Sequence, residues 1–192
     1  MRNPLFRTLT IGLWVLALAA VAWVWFGAPR GQPLAADELG RGAYRLTTHE
    51  GRPFTEADLR GAPSLVFFGF THCPDVCPTT LADIGDWRDL AGKEIRTFFI
   101  TVDPERDTPE VLAEYVGWLP GALGVTGPRP EIEAALRAFR VFASKGQVDE
   151  KGDYAMDHSS SVLMFSGEGR FMGTIPWRAS EAEAVGKIKA LM

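Results

Sequence analysis

The chain opens on an apolar run, residues 9–26, that carries no charge and, apart from Thr10, holds only apolar residues or Gly. At a helical rise of about 1.5 Å per residue this run spans about 27 Å, close to the thickness of a hydrocarbon core. A stretch with Pro29, Gly31 and Pro33 follows to residue 37 and reads as a tether. Beyond it, short apolar runs alternate with segments of helical spacing. Residues 44–48 and 52–55 flank His49-Glu50-Gly51 as a hairpin with a glycine turn. Residues 64–70 form an apolar run of the kind a strand covered on both faces shows. Pro78 suits a first helical position, and Leu81, Ile84, Trp87 and Leu90 recur at helical spacing. Residues 95–102 predict a second buried strand. Thr108-Pro109-Glu110 starts a helix with Val111, Leu112, Tyr115 and Val116 on its apolar face. Residues 123–126 suggest a short strand, 127–130 break the chain, and Ile132, Ala135, Leu136 and Phe139 mark another helix. Residues 141–144, with the polar stretch to 152, predict an exposed hairpin. Residues 160–165 and 170–175 pair around Gly167-Glu168-Gly169. Ser180 with Glu183 forms a capping box for a last helix carrying Val185, Ile188 and Leu191 on one face.

This order is strand, cysteine loop, helix, strand, helix, then a hairpin and a C-terminal helix. It predicts an α/β thioredoxin-like fold (three-layer α/β/α) with an N-terminal extension and a hairpin insertion, preceded by one transmembrane helix. Two parallel strands joined by a helix bring their C-terminal ends to one sheet edge, where ligands bind in α/β folds. Cys73 and Cys77 follow the first such strand and Asp103 the second. The strand at 160–165 runs the other way, so His158, just before it, belongs to the same edge.

Charge narrows the setting. Over 192 residues the formal net charge is -4, which argues against nucleic acid as a partner. Arg2 and Arg7 precede the apolar run, and Arg30 is the first charge after it. The positive-inside rule then puts residues 1–8 in the cytoplasm, 9–26 across the membrane, 27–37 outside as linker, and 38–192 outside as the folded domain. Cleavage as a signal peptide is the rival reading, with small-residue sites at Ala17-Leu18-Ala19 and Ala20-Val21-Ala22. Trp23, Val24, Trp25 and Phe26 continue the apolar run past those sites and favour an uncleaved anchor. Removing Arg2 and Arg7 from the 20 basic residues leaves 18 against 24 acidic ones, so the exported part is acidic. The short N-terminus, without a long Arg- and Ser-rich presequence, points to a bacterial inner membrane with the domain in the periplasm.

Cys73 and Cys77 are the chain's two cysteines, and in an oxidising compartment they form a candidate disulfide or metal site. Their C-x-x-x-C spacing is one residue longer than the C-x-x-C of redox thioredoxins. A helix N-terminus favours thiolate over thiol, and two thiolates are soft ligands that suit Cu(I). The imidazole of His158 would complete a three-coordinate site, whereas a structural zinc site normally takes four ligands. Spacing alone leaves a structural disulfide and a redox pair open.

The segment Phe68-Gly69-Phe70-Thr71-His72-Cys73-Pro74-Asp75-Val76-Cys77-Pro78-Thr79-Thr80-Leu81 resembles the signature of the Sco/SenC family, copper proteins of cytochrome c oxidase assembly. Residues 101–109, Thr-Val-Asp-Pro-Glu-Arg-Asp-Thr-Pro, resemble that family's central block, and residues 154–160, Tyr-Ala-Met-Asp-His-Ser-Ser, the block with its histidine ligand. The resemblance runs from about residue 46 to the C-terminus. It implies a thioredoxin-like fold and binding of Cu(I) or Cu(II) by Cys73, Cys77 and His158. It also implies delivery of copper, or of reducing equivalents, to the CuA site of oxidase subunit II, with a copper donor protein upstream.

Other residues compete less well. His72 adjoins Cys73, but neighbouring side chains in extended backbone point apart. His49 sits in a predicted turn and reads as exposed. Asp103 and Asp157 could orient the site or a partner, although Asp103 before Pro104 also suits a turn. Met156 could be a soft axial ligand, whereas Met164 and Met172 fall in strand patterns and read as core. Asp75 faces a partner or keeps its loop solvated, and Trp177 reads as packing. Three functions follow: a copper chaperone; a thiol–disulfide oxidoreductase using Cys73 and Cys77, with Cys73 the more exposed attacker; and a peroxidase on a related fold.

Overall fold

The computed structural model describes residues 38–92 and 95–191, together with Gly12, Trp14, Ala17 and Leu18, which are helical. The chain divides into two units, Met1–Ala35 and Ala36–Met192. The expected membrane span at 9–26, those four positions apart, and the linker at 27–37 lie outside the described residues. Among the described residues no helix is long and apolar enough to cross a membrane.

Within the second unit a seven-stranded mixed sheet forms the middle layer. Its strands are β1 (Leu46–Thr48), β2 (Pro53–Phe54), β3 (Ser64–Gly69), β4 (Arg96–Thr101), β5 (Ala122–Thr126), β8 (Val162–Phe165) and β9 (Phe171–Ile175), in the order β2-β1-β5-β4-β3-β8-β9. A separate two-stranded ribbon pairs β6 (Ala143–Lys145) with β7 (Met156–His158). β3, β4 and β5 run parallel, with Phe67 opposite Phe99 and Gly69 opposite Thr101. β8 pairs antiparallel with β3, and β1 antiparallel with β5. Every residue of β3 is buried, as the unbroken apolar run requires of a central strand.

Four helices cover the sheet: α1 (Val76–Ala91), α2 (Pro109–Val116), α3 (Arg129–Phe139) and α4 (Glu181–Lys189). Side chains alternate along β3. Phe67 meets Phe99 on one face, where Cys77 of α1 and Tyr115 of α2 also pack. Phe68 points to the other face and meets Phe139 of α3, with ring centroids 5.2 Å apart. Phe139 also meets Tyr44 at 5.6 Å and Phe165 at 5.7 Å. Helices on both faces make the thioredoxin-like layering the sequence predicts.

Several expectations shift. Pro78 is the third residue of α1 rather than the first. Leu90 is 52% exposed, because the buried stripe Leu81, Ile84, Trp87 continues to Ala91. Met164 is core as expected, but Met172 is 47% exposed, since β9 is an edge strand. A 3-10 turn at Glu56–Leu59, capped reciprocally by Thr55 and Asp58, was not anticipated. Ser180 accepts from the Glu183 N–H at 3.3 Å, while the Glu183 carboxylate turns to Lys187 at 2.7 Å. The largest difference is in the insertion. The predicted hairpin was to end at residue 152, yet its return strand is β7, so His158 is carried by the ribbon itself.

Gly69 ends β3 beneath α1. A Cβ there would stand 2.7 Å from Phe99 Cε2 and 2.9 Å from Cys77 Sγ, closer than real side chains approach. Gly69→Ala is therefore expected to destabilise the domain by roughly 1–3 kcal/mol through overpacking. Urea unfolding measures this, and a variant as stable as wild type would mean that the layer yields freely.

Candidate metal centre

The cysteine segment leaves the C-terminal end of β3 and enters α1 at Val76. Asp75 holds the N-cap position, where its carbonyl accepts from the Thr79 N–H at 3.2 Å while its carboxylate caps no helix N–H and accepts from Thr79 Oγ1 at 3.4 Å. From this first turn Cys77 points inward and is fully buried, whereas Cys73 is half-buried on the loop, and both are free thiols. The Cys77 backbone N–H donates to Cys73 Sγ at 3.4 Å. His158 Nε2 lies 3.6 Å from Cys77 Sγ. Its Nδ1 is 3.0 Å from the Ser159 carbonyl oxygen. A carbonyl can only accept, so Nδ1 carries the proton and Nε2 presents its lone pair to the sulfur. Phe70 and Phe67 wall the imidazole, the former nearly perpendicular at 5.8 Å. Among the described residues no three of His, Cys, Asp or Glu form a ready-made metal cage. Cys77 and His158 face each other, and Cys73 lies one backbone N–H away.

Burial pushes the Cys77 thiol well up, Cys73 and Asp107 add to this, and the Phe70 backbone N–H pulls the other way. Burial thus opposes, at Cys77, the thiolate preference expected from a helix N-terminus. Burial pulls His158 down, against the Ser159 carbonyl and Asp157, which keeps the imidazole neutral and free to ligate.

Two buried carboxylates at the end of β4 fix this arrangement. Asp107 accepts from Thr71 Oγ1 at 2.6 Å, from the Thr71 backbone N–H at 3.1 Å and from Thr101 Oγ1 at 2.5 Å. It thereby ties the cysteine loop, two residues before Cys73, to β4. Burial nevertheless raises Asp107 above the usual carboxylate range. Asp103 accepts from Arg106 Nε at 2.5 Å and from the Tyr154 hydroxyl at 2.8 Å. Arg106 also donates to the Tyr154 carbonyl at 3.0 Å, and its guanidinium lies 3.6 Å from the centre of the Tyr154 ring. Lys145 covers that ring at 3.7 Å. The segment leading to His158 is clamped by these contacts.

Asp103 therefore fills both roles considered for it. Its carbonyl accepts from the Arg106 and Asp107 N–H groups in a turn, while its carboxylate orients the histidine segment. Asp107 and Thr71 also position the site, and both lie within the two sequence blocks at 101–109 and 68–81. The available signal was a pair of acids four residues apart after a buried strand, with threonines on the facing segments. His72 is bonded to Thr71 Oγ1 at 3.1 Å and sits 4.0 Å from Asp107. His49 is not merely exposed: its Nδ1 accepts from the Gly124 N–H at 3.0 Å and joins the turn to β5. Met156 is buried, Asp157 exposed, and Trp177 is 36% exposed beneath Arg178.

Fold and site together define a thioredoxin-like domain with a cysteine pair and a histidine converging at one sheet edge. The sequence model described as SCO1/SenC matches residues 32–192, and the chain belongs to that family. It is 39% identical over 168 residues to the mitochondrial SCO1 homolog of Mus musculus, covering 84% of this chain and 57% of that protein. The curated relatives are longer, and the chain spans roughly half to two thirds of them. Among solved structures it resembles Bradyrhizobium japonicum ScoI with copper bound, at 36% identity and a TM-score of 0.71, covering 79% of this chain and 99% of that one. Yeast Sco1 with copper bound gives 35% identity and a TM-score of 0.70, covering 78% and 86%.

The lowered His158 has a consequence for stability. An imidazole that binds protons less readily folded than unfolded contributes stability above its ordinary range and loses it as pH falls through the folded value. The metal-free domain is thus expected to weaken from neutral pH towards mildly acid pH, and His158→Gln to lose that part of the slope. Urea midpoints at the two pH values check this, and equal slopes in the two proteins would contradict it.

Proposed function

We propose that this chain is a copper carrier, with Cys73, Cys77 and His158 as ligands. The observation that carries the reading is the unprotonated Nε2 of His158 facing Cys77 Sγ at 3.6 Å, with Cys73 adjacent. Two sulfurs and one imidazole suit Cu(I), and three donors leave room for an incoming ligand. Closing the shell takes a side-chain movement of Cys73 and loss of two thiol protons. The half-buried Cys73 is the donor that an acceptor's sulfur reaches first. The copper-bound relatives described above support this choice of metal. The three sequence blocks support a role in cytochrome c oxidase assembly. We place delivery at the CuA site of subunit II, after loading by a copper donor protein. Residues 9–26 would anchor the domain in a bacterial inner membrane, with residues 38–192 in the periplasm.

A second reading has its own support in the unequal exposure of the thiols. Cys73 as thiolate could attack a disulfide of the acceptor, releasing one of its sulfurs as thiolate. Cys77, after giving up its proton, would then attack Cys73 and release the other. The chain would end oxidised and the acceptor reduced. His158 is dispensable in that chemistry, so it separates the two readings.

The test is a Cu(I) titration of the reduced domain from Pro29 onward against a competing chelator, with His158→Ala beside it. One tight equivalent in wild type, weakened at least tenfold in the variant, is expected for loss of a direct ligand; tenfold corresponds to about 1.4 kcal/mol. Binding indifferent to His158, or none that competes, would remove the carrier reading in favour of thiol exchange.

A further inference from the structure

The three parallel strands have a second edge, remote from the cysteines. Ala62 precedes β3, Ile95 precedes β4, Arg96 opens β4, and Pro120 and Gly121 precede β5. With Arg88 these residues line a pocket of about 370 Å³ at the N-terminal ends of the strands. The cysteine loop leaves the other end of β3, whose six residues hold the two edges about 20 Å apart.

Two guanidiniums reach this pocket from opposite faces of the sheet. Arg88, in the last turn of α1, donates to Thr97 Oγ1 at 3.4 Å. Its Nη2 lies 3.5 Å from where a Cβ on Gly121 would stand. Arg96 turns the other way, over the Phe98 ring at 5.5 Å. It donates to the Arg60 and Ala62 carbonyls at 3.0 Å and 2.5 Å, and no ion pair neutralises it among the described residues. Burial works against the charge of Arg96, and Asp58, already engaged by Thr55, supports it. Like charges lining one pocket repel, and an anion with several oxygens relieves both, since guanidinium forks match phosphate.

The surroundings indicate which anion. The folded chain begins at this same edge: a Cβ on Gly40 would stand 2.8 Å from Leu59 and 3.1 Å from Phe165, which pairs with Ser64 at the start of β3. Helix α2 runs from the cysteine edge towards this one, and Trp118, just beyond its end and two residues before Pro120, is 54% exposed. Exposed tryptophan beside arginine is the pairing of membrane–water interfaces. The chain as a whole carries a net charge of -4, so a generally basic surface is not the attraction.

We propose that this edge binds the phosphate groups of anionic phospholipids, with Arg88 and Arg96 as phosphate contacts and Trp118 as the interfacial contact. The setting rests on the membrane-anchor reading above and not on the copper reading. Seated in this way, the domain turns Cys73 and His158 away from the lipid, towards an incoming partner.

The test places the full-length chain in lipid nanodiscs of phosphatidylcholine, alone or mixed with phosphatidylglycerol, and follows amide hydrogen exchange in residues 60–62 and 117–121. Exchange there is expected to be about fivefold slower in the anionic discs, and Arg88→Gln and Arg96→Gln should each remove most of that difference. Trp118→Ser, at an exposed position, should weaken the protection too, and it keeps the test standing if an arginine variant unfolds. Equal exchange in the two kinds of disc, or protection that survives these substitutions, would overturn the inference and leave the copper reading untouched. Inorganic phosphate added to the neutral discs separates the sources of the anion. Protection by it, with none from the anionic lipid, would overturn the assignment to lipid. If the full-length chain does not enter discs, the anchor reading fails by itself. Cosedimentation with vesicles of the same two compositions then decides: binding to the anionic vesicles alone supports the site, and binding to both or to neither overturns it.

Discussion

The site depends on the two buried carboxylates at the C-terminal end of β4. Asp107 and Asp103 are both wholly sealed from solvent, a costly placement for an acid unless donors fill it. Each is filled by a different segment. Thr71 brings the cysteine loop to Asp107, and Tyr154 with Arg106 brings the histidine segment to Asp103. Residues about eighty positions apart in sequence are thus referred to one strand end. Since β4 is a central strand of the sheet, that reference point is rigid. Removing either acid would leave polar partners stranded and the ligand segments free of their common anchor.

The three side chains proposed as donors are held to different degrees. Cys77 is fixed by the first turn of α1 and by the tight fit over Gly69. His158 is fixed by the Ser159 carbonyl on one side and by two aromatic rings on the other. Cys73 lies on the loop between β3 and α1, half in solvent. A carrier must hold its cargo and also release it, and an asymmetric shell meets both needs. In the carrier reading, the two anchored donors would set affinity and geometry, and the accessible third would begin exchange. The same asymmetry serves thiol exchange, so one pair of sulfurs accommodates both readings.

Much of this was legible in the sequence. The run at 64–70 had to be a central strand, and Cys73 and Cys77 therefore had to sit at its C-terminal end. His158 could be placed at the same edge from strand direction alone. The hairpin at 141–144 was legible, but its return strand β7 was not, because a three-residue strand in polar sequence carries no periodicity and pairs only in context. Leu90 and Met172 misled, because an apolar residue at the right spacing can still fall past the edge of the neighbouring element. The burial of Cys77 opposes the thiolate preference that its helix position suggests, since desolvation is a tertiary quantity. For the same reason the four-residue spacing of Asp103 and Asp107 hints at a shared role but not at the full burial of Asp107.

The central claim is that two sulfurs and one imidazole meet on a single copper ion. X-ray absorption at the copper edge of the full-length chain, loaded with one equivalent of Cu(I), tests it most directly. The account predicts two sulfur scatterers and one nitrogen scatterer, with the outer-shell pattern of an imidazole ring. A digonal site of two sulfurs with no imidazole contribution, or a shell of three or four sulfurs drawn from more than one chain, would contradict it.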